Sequence, residues 1–325
     1  MTKTIVKLSY PRSWNIITEG NLTQFHRLTP DSNGEWGNFR FLINDNQVKE
    51  VDYWIVIGFL DEVEKLFVKS KTILILSEEA GIKVWDDKFM SQFDVVVGSQ
   101  KNIRLKNYHH DHYPGGWQIF KNYDQLINLE IPEKKKDLSA IISNLTYTEG
   151  HKLRYDFVMG VHNHFRDKLD WFGRGVKALN DKWDGIAPYK YSIAIENQQV
   201  EDYWTEKIAD CILAYSMPIY YGCKNIDKYF PKGSYLSIDI NNINESIEKI
   251  QEALATGYYE NNLHNLKKAR ELILNKYQLF PKMVEWINKY GGDERSGYKT
   301  LKPESFFVSS WMKRTALKMY RIIAK

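Results

Sequence analysis

Residues 189–222, YKYSIAIENQQVEDYWTEKIADCILAYSMPIYYG, decide how this chain is read. Residues 191–195 are an apolar run of β-formers that delivers Glu196 and Asn197 to its carboxyl end. A helix is predicted over 201–216, because Ile208, Cys211, Ile212 and Tyr215 recur at i, i+3, i+4 and i+7 as one buried stripe. Asp202 is suited to cap its start, and Pro218 prevents its continuation. A helix that opens near Tyr203 presents unpaired N–H groups and the positive end of a dipole, a seat for phosphate. Lys207 adds a full charge in the first turn, Glu206 can accept hydrogen bonds from sugar or ribose hydroxyls, and Asn197 and Tyr203 can orient them. The same residues also suit an ordinary amphipathic helix in which Glu206 and Lys207 are solvated surface charges.

Working outward, β-rich runs at 4–8, 52–59, 72–76 and 93–98 precede this stretch, the last three almost continuously apolar. Strands covered by helices on both faces read this way, so the first half is expected to be a parallel α/β sheet. Pro132 and the charged run Glu133-Lys134-Lys135-Lys136 then read as a surface linker. Beyond it, strands are expected at 138–143, 169–172, 191–195, 218–221 and 235–240, with helices at 243–255 and 262–277. The expected organisation is a Rossmann-like domain over 1–131, a second over 137–300, and a basic amphipathic helix over 301–325. Two doubly wound units facing across a cleft suit a two-lobed transferase or ligase.

A chain of 325 residues with 43% hydrophobic content can fill two such cores. A formal charge of +4, with no zinc-finger spacing and no P-loop, gives no reason to expect nucleic acid as a partner. Cys211 and Cys223 are too few for a disulfide framework, and Cys211 falls in an apolar helical pattern where a thiol packs. The first ten residues read as a strand halted by Pro11 and not as a signal peptide, and no apolar run reaches bilayer length. A cytoplasmic location is the expectation. In 311–325, Arg314, Lys318, Arg321 and Lys325 share one helical face, and Met312, Ala316, Met319 and Ile323 share another. That pattern fits peripheral contact with an anionic membrane, or packing back on the first lobe.

The decisive stretch resembles the signature of glycosyltransferase family ten, the α1,3/4-fucosyltransferases. The matching blocks are Tyr189-Lys190-Tyr191, Glu196-Asn197, Tyr203-Trp204-Thr205-Glu206-Lys207 and Pro218-Ile219-Tyr220-Tyr221-Gly222, in order and at the family's spacing. Upstream, Ile141-Ile142-Ser143-Asn144 followed by Arg154 is similar to the family's strand and its diphosphate-binding arginine. The resemblance covers roughly 138–240 and the first domain only in outline. Three positions depart from it: Gln198 for the usual serine, and Asp202 and Tyr215 where the family favours glycine.

The resemblance implies a GT-B fold, GDP-fucose as donor and inversion at the sugar. It makes Arg154, Glu196, Asn197, Tyr203, Glu206 and Lys207 the donor-binding residues. Transfer to a hydroxyl also needs a base. Glu78, ahead of its neighbour Glu79, is the candidate, in a strand-end loop similar to the family's acidic one, where paired glutamates can raise one pKa. No aspartates stand two apart in the metal-holding pattern of many glycosyltransferases, so no metal or other cofactor is expected. The run His109-His110-Asp111-His112 has no committed ligand geometry, and Trp117 suits a packed core better than a sugar platform. The expected partners are a nucleotide sugar and a glycan or lipid-linked glycan acceptor. Alternatives are a same-fold transferase using another nucleotide sugar, and a non-catalytic nucleotide-sugar or glycan-binding protein.

Overall fold

The structure is a computed structural model and describes residues 2–14, 23–78, 82–146, 149–292 and 296–307. Its strands in chain order are β1 (Thr4–Ser9), β2 (Glu35–Trp36), β3 (Phe39–Ile43), β4 (Glu50–Val51), β5 (Tyr53–Ile57), β6 (Glu64–Val68), β7 (Thr72–Ile75), β8 (Val95–Gly98) and β9 (Tyr108–His110). They continue as β10 (Lys136–Ile141), β11 (Leu169–Phe172), β12 (Tyr189–Ile195), β13 (Met217–Tyr221), β14 (Leu236–Ser237) and β15 (Gly297–Leu301). The chain separates into two compact units: one runs to Tyr113 and resumes at Phe280, and the other is Pro114–Leu279.

The first unit holds a seven-stranded sheet in the order β2-β3-β1-β5-β7-β8-β9, parallel except for β2. The apolar runs at 53–57, 72–75 and 95–98 are its central strands, and every residue of β7 and β8 is buried. Trp54, Val56, Leu74, Leu76, Phe89 and Val96 meet in one core cluster. A three-stranded sheet, β15-β6-β4, completes the unit. Its strands are short and mix charged with apolar residues on both faces, which is why they carry no continuous apolar signal.

The motif 109–112 is structural where it is clearest. Asp111 accepts from Lys282 Nζ at 2.9 Å and from Trp286 Nε1 at 2.8 Å, both on the helix Leu279–Tyr290. It thereby ties β9 to a segment that is distant in sequence. His112 is buried, and the His109 ring stacks on Tyr290 at 4.1 Å. Among the described residues, no group of three or more His, Cys, Asp or Glu side chains is disposed to hold a metal. Burial opposes ionisation of Asp111, but its bonds to His112, Trp286 and Lys282 prevail and hold its pKa well below the usual carboxylate value. A carboxyl with a depressed folded pKa adds stability above its unfolded pKa and loses it as pH falls. Asp111→Asn is expected to cost about 1–2 kcal/mol at neutral pH, because it removes one of the two carboxylates that hold the buried ammonium of Lys282 and leaves Glu285 at 3.0 Å. It should also flatten the acid limb of a denaturation curve recorded against pH; an unchanged limb would mean the pairing is idle.

The second unit is an all-parallel five-stranded sheet in the order β11-β10-β12-β13-β14. The sequence reading put the change of domain near residue 131, whereas the compact unit starts at Pro114 because residues 114–131 bond within it. Gln118 N–H donates to Asp210 at 2.8 Å, Tyr123 donates to Asn275 at 2.8 Å, and Arg270 donates to the Leu126 carbonyl. Lys134, in the expected surface linker, reaches the carbonyls of Ala187 at 2.7 Å and Ala214 at 3.0 Å. Trp117 is buried and donates to the Lys121 carbonyl at 2.7 Å. Residues 308–325, which include the amphipathic pattern at 311–325, lie outside the described residues.

Candidate functional site

In the second sheet the chain steps from β10 outward to β11, then returns to the other side of β10 as β12. The crossovers leave in opposite directions there, opening a crevice at the carboxyl ends of β10 and β12, where open α/β sheets take ligands. The β10–β11 crossover is the helix Glu149–Phe165, and the β12–β13 crossover carries the helix Glu206–Leu213. Every donor-binding residue expected from the sequence lies on these two crossovers or on the end of β12.

The second helix starts later than its apolar periodicity suggested. Its N-cap is Thr205, and Asp202 stands outside it at φ 58°. Asp202 accepts from Asn225 at 2.9 Å, Lys228 at 2.9 Å and Tyr229 at 2.5 Å, bonds that hold a non-glycine residue in a left-handed conformation. Tyr215 follows the same rule at φ 55°: the Arg270 guanidinium lies 4.7 Å from its ring, and Tyr259 donates to its carbonyl at 3.1 Å. Both positions that depart from the family's glycines therefore adopt positive φ. In both, tertiary contacts replace glycine's freedom.

Glu196, at the end of β12, is 1% exposed. Its carboxylate accepts from the Thr205 backbone N–H at 2.8 Å and from the Thr205 hydroxyl at 2.8 Å, and Lys207 Nζ lies 3.2 Å away. Glu196 thus acts from beneath the helix start, fixing the cap and the lysine. Lys207 Nζ also meets Thr205 Oγ1 at 3.0 Å and Glu206 at 3.3 Å. Burial works against the Lys207 charge, but Glu196 and Glu206 raise its pKa above the ordinary lysine value. Burial likewise disfavours the Glu206 carboxylate, but Lys207 and Lys182 hold its pKa at about 2. Both side chains are ionised at neutral pH.

Arg154 is buried on the first crossover helix, with one Nη at 3.5 Å from the Ile195 carbonyl and with Nε lacking a partner. Burial lowers its pKa, and Glu196 and Glu206 act in the opposite sense. Asn197 Oδ1 is likewise buried without a partner, and Tyr203 is buried. Arg154, Lys182, Glu206, Lys207 and Asp210 line a cavity of about 90 Å³ with the ends of β10 and β12. Of the proposed bases, Glu79 lies outside the described residues. Glu78 is half-buried just beyond the carboxyl end of β7 in the first unit.

Sequence reasoning missed Lys182 and Asp210. Lys182 Nζ sits 3.3 Å from Asp210 and 3.9 Å from Glu206, so it steadies Glu206 from the short 3-10 turn Lys182–Gly185, which carries no motif. Asp210 had one available signal, an acid one turn after Glu206 in the otherwise apolar run IADCIL. Gly222 matters for space: a Cβ there would meet Glu196 Cγ at 2.4 Å and the Tyr220 hydroxyl at 2.5 Å. Gly222→Ala is expected to displace Glu196 and to loosen the Thr205 cap and Lys207, costing about 2 kcal/mol of stability, the size of one disturbed charged contact. Chemical denaturation checks this, and unaltered stability would show that Glu196 does not need the space Gly222 leaves. Cys211 is buried, and burial pushes its thiol up to about 12, so it packs and does not react.

Residues 131–259 match the model described as glycosyltransferase family 10 (fucosyltransferase) C-term. An alpha-(1,3)-fucosyltransferase, FucT, of Helicobacter pylori is 32% identical over 95 residues, 27% of this chain and 20% of that relative. A putative fucosyltransferase-like protein of Arabidopsis thaliana is 28% identical over 146 residues, 44% of this chain and 28% of that protein. The chain thus matches less than a third of the length of either relative. A crystal structure of α1,3-fucosyltransferase with GDP-fucose superposes at TM-score 0.50 with 15% identity, over 86% of this chain and 92% of that one. The form with GDP gives 0.51 and 16%, over 85% and 93%. This likeness carries the fold, an α/β chain of the GT-B type.

Proposed function

Taking residues 131–259 as a domain of glycosyltransferase family 10, we propose that this chain is an inverting transferase that moves fucose from GDP-fucose to a hydroxyl of a glycan or lipid-linked glycan. The observation that carries the reading is the cation pair at the switch point of the second sheet. Lys207 is held by buried Glu196 and Thr205, and Arg154 presents an unpartnered Nε. Support for the donor comes from the neighbour solved with GDP-fucose and from the name of the Helicobacter relative.

The ammonium of Lys207 has three N–H groups and three acceptors: Thr205, Glu196 and Glu206. Donor binding exchanges the third. Glu206 turns to a ribose hydroxyl, and the freed N–H meets a diphosphate oxygen. As the bond from the anomeric carbon to the diphosphate breaks, negative charge grows on the leaving oxygen, and the fixed cations stabilise it more than they stabilised the ground state. The acceptor oxygen attacks the opposite face of the oxocarbenium-like sugar and gives its proton to Glu78. Lys207, Arg154 and the helix N–H groups supply the positive charge, so the proposed reaction needs no metal.

Calorimetry with several nucleotide sugars, followed by GDP release with and without glycan acceptors and chelator, tests the proposal. GDP-fucose is expected to bind best and to be consumed only with acceptor, in chelator as well. Affinity without turnover would favour a binding protein, and tighter binding of another nucleotide sugar would reassign the donor.

A further inference from the structure

Lys182 belongs to none of the matching blocks, yet it lines the same cavity as Arg154, Glu206 and Lys207. Both of its ends are fixed by one strip of chain. Its neighbour Asp181 caps the turn Lys182–Gly185, accepting from the Trp183 N–H at 2.9 Å and from the Phe120 N–H at 3.0 Å. Its ammonium lies 3.3 Å from one oxygen of Asp210, whose other oxygen accepts from the Gln118 N–H at 2.8 Å. Asp210 is 1% exposed, so Lys182 cannot swing into solvent without stranding a buried carboxylate. A lysine paired only at the surface would carry no such restraint.

The cations around Glu206 have different duties. Lys182 at 3.9 Å and Lys207 at 3.3 Å both address the same oxygen, Oε1, and neither ion pair engages Oε2. Arg154 acts on the same carboxylate by its charge. In the proposed reaction Arg154 and Lys207 turn to the diphosphate, while Lys182 stays tied to Asp210 beside Glu206. We propose that Lys182 is a positioning residue for ribose recognition: it holds Oε1 of Glu206 while Oε2 accepts from a ribose hydroxyl, and so sets the preference for a nucleotide that carries those hydroxyls. The inference rests on the donor reading above and adds the residue through which Glu206 stays aimed once Lys207 is engaged elsewhere. A hydrogen bond to an ionised acceptor is strong only when the acceptor is held in line with its donor, and Lys182 supplies that hold.

The test is a cycle between the side chain and the ligand. Affinities for GDP and for 2′,3′-dideoxy-GDP are measured by titration calorimetry on the full chain, for the parent and for Lys182→Met. The parent is expected to prefer GDP by about 30-fold, the scale of hydrogen bonds from hydroxyls to a charged acceptor. In Lys182→Met the preference should fall to about threefold, with GDP weakened about tenfold and the dideoxy nucleotide little changed. Because the substitution also takes the ammonium from Asp210, the double variant Lys182→Met/Asp210→Asn removes both charges together and should show the same narrowed preference. A purely structural role would weaken both nucleotides by one factor. Equal weakening, or a preference kept at the parent value in both variants, would overturn the inference. A parent that binds the two nucleotides equally would overturn it as well and leave the donor reading standing, whereas a parent that binds no GDP would end the donor reading and this inference with it.

Discussion

Lys207→Met is expected to lower kcat/KM for GDP-fucose by about 10²- to 10³-fold, the scale on which removing one preorganised electrostatic donor acts. The effect should fall on kcat as well as on binding, because in the proposed reaction a lysine beside the diphosphate would interact more strongly as the leaving group gains charge. The substitution also removes the ammonium nearest Glu196, which is 1% exposed and would keep hydrogen bonds from Thr205 alone, with Arg154 as the remaining cation acting on it. Breaking a buried pair in this way costs about 3 kcal/mol of stability. Lost activity alone would therefore not distinguish a catalytic role from unfolding. The double variant Glu196→Gln/Lys207→Met removes both charges together and should recover most of the stability while remaining inactive. If that variant turns over at the parent rate, the lysine is only the counter-ion of Glu196, and the phosphate role is lost.

How far the sequence reaches differs between the two units for a physical reason. The second unit was readable almost element by element: β11, β12, β13 and the helix Ile243–Ala255 fall within a residue or two of expectation. Its central strands β12 and β13 are almost wholly buried, and the helices Glu206–Leu213 and Ile243–Ala255 carry regular apolar stripes. The start of the helix at Glu206 was misjudged because Thr205 owes its capping geometry to Glu196, a partner nine residues away that no local rule sees. Lys182 was invisible for the same reason, since it acts through a contact distant in sequence, whereas Gly222 stood in a matching block whose pattern does not say that the missing side chain makes room for Glu196. In the first unit, β6 and β15 pair across more than two hundred residues, and periodicity within either strand cannot announce that pairing. The return of the chain to that unit after Leu279 depends on Asp111 meeting Lys282 and Trp286. The run 109–112, without a committed ligand geometry in sequence, therefore includes a structural clasp.

Glu78→Gln is expected to lower turnover by about 10²- to 10⁴-fold with GDP-fucose affinity kept, because it removes a general base and leaves the cation pair intact. The structure holds this glutamate's backbone firmly. Gln100, just past β8, donates from Nε2 to the Glu78 carbonyl at 2.7 Å and to the Lys83 carbonyl at 3.0 Å, bracketing the loop from both sides. Lys83 is pinned in turn, its ammonium 2.6 Å from buried Glu304 and 3.9 Å from the Trp85 ring centre. Gln100→Leu should then cost turnover too, by a smaller factor of about ten, and raise the acceptor KM, since it misplaces the base without removing it. The pair of variants distinguishes the readings. Loss in Glu78→Gln with bound donor unaffected, and a milder loss in Gln100→Leu, marks a positioned base. Full turnover in Glu78→Gln removes this residue from the reaction and moves the search for the base to Glu79.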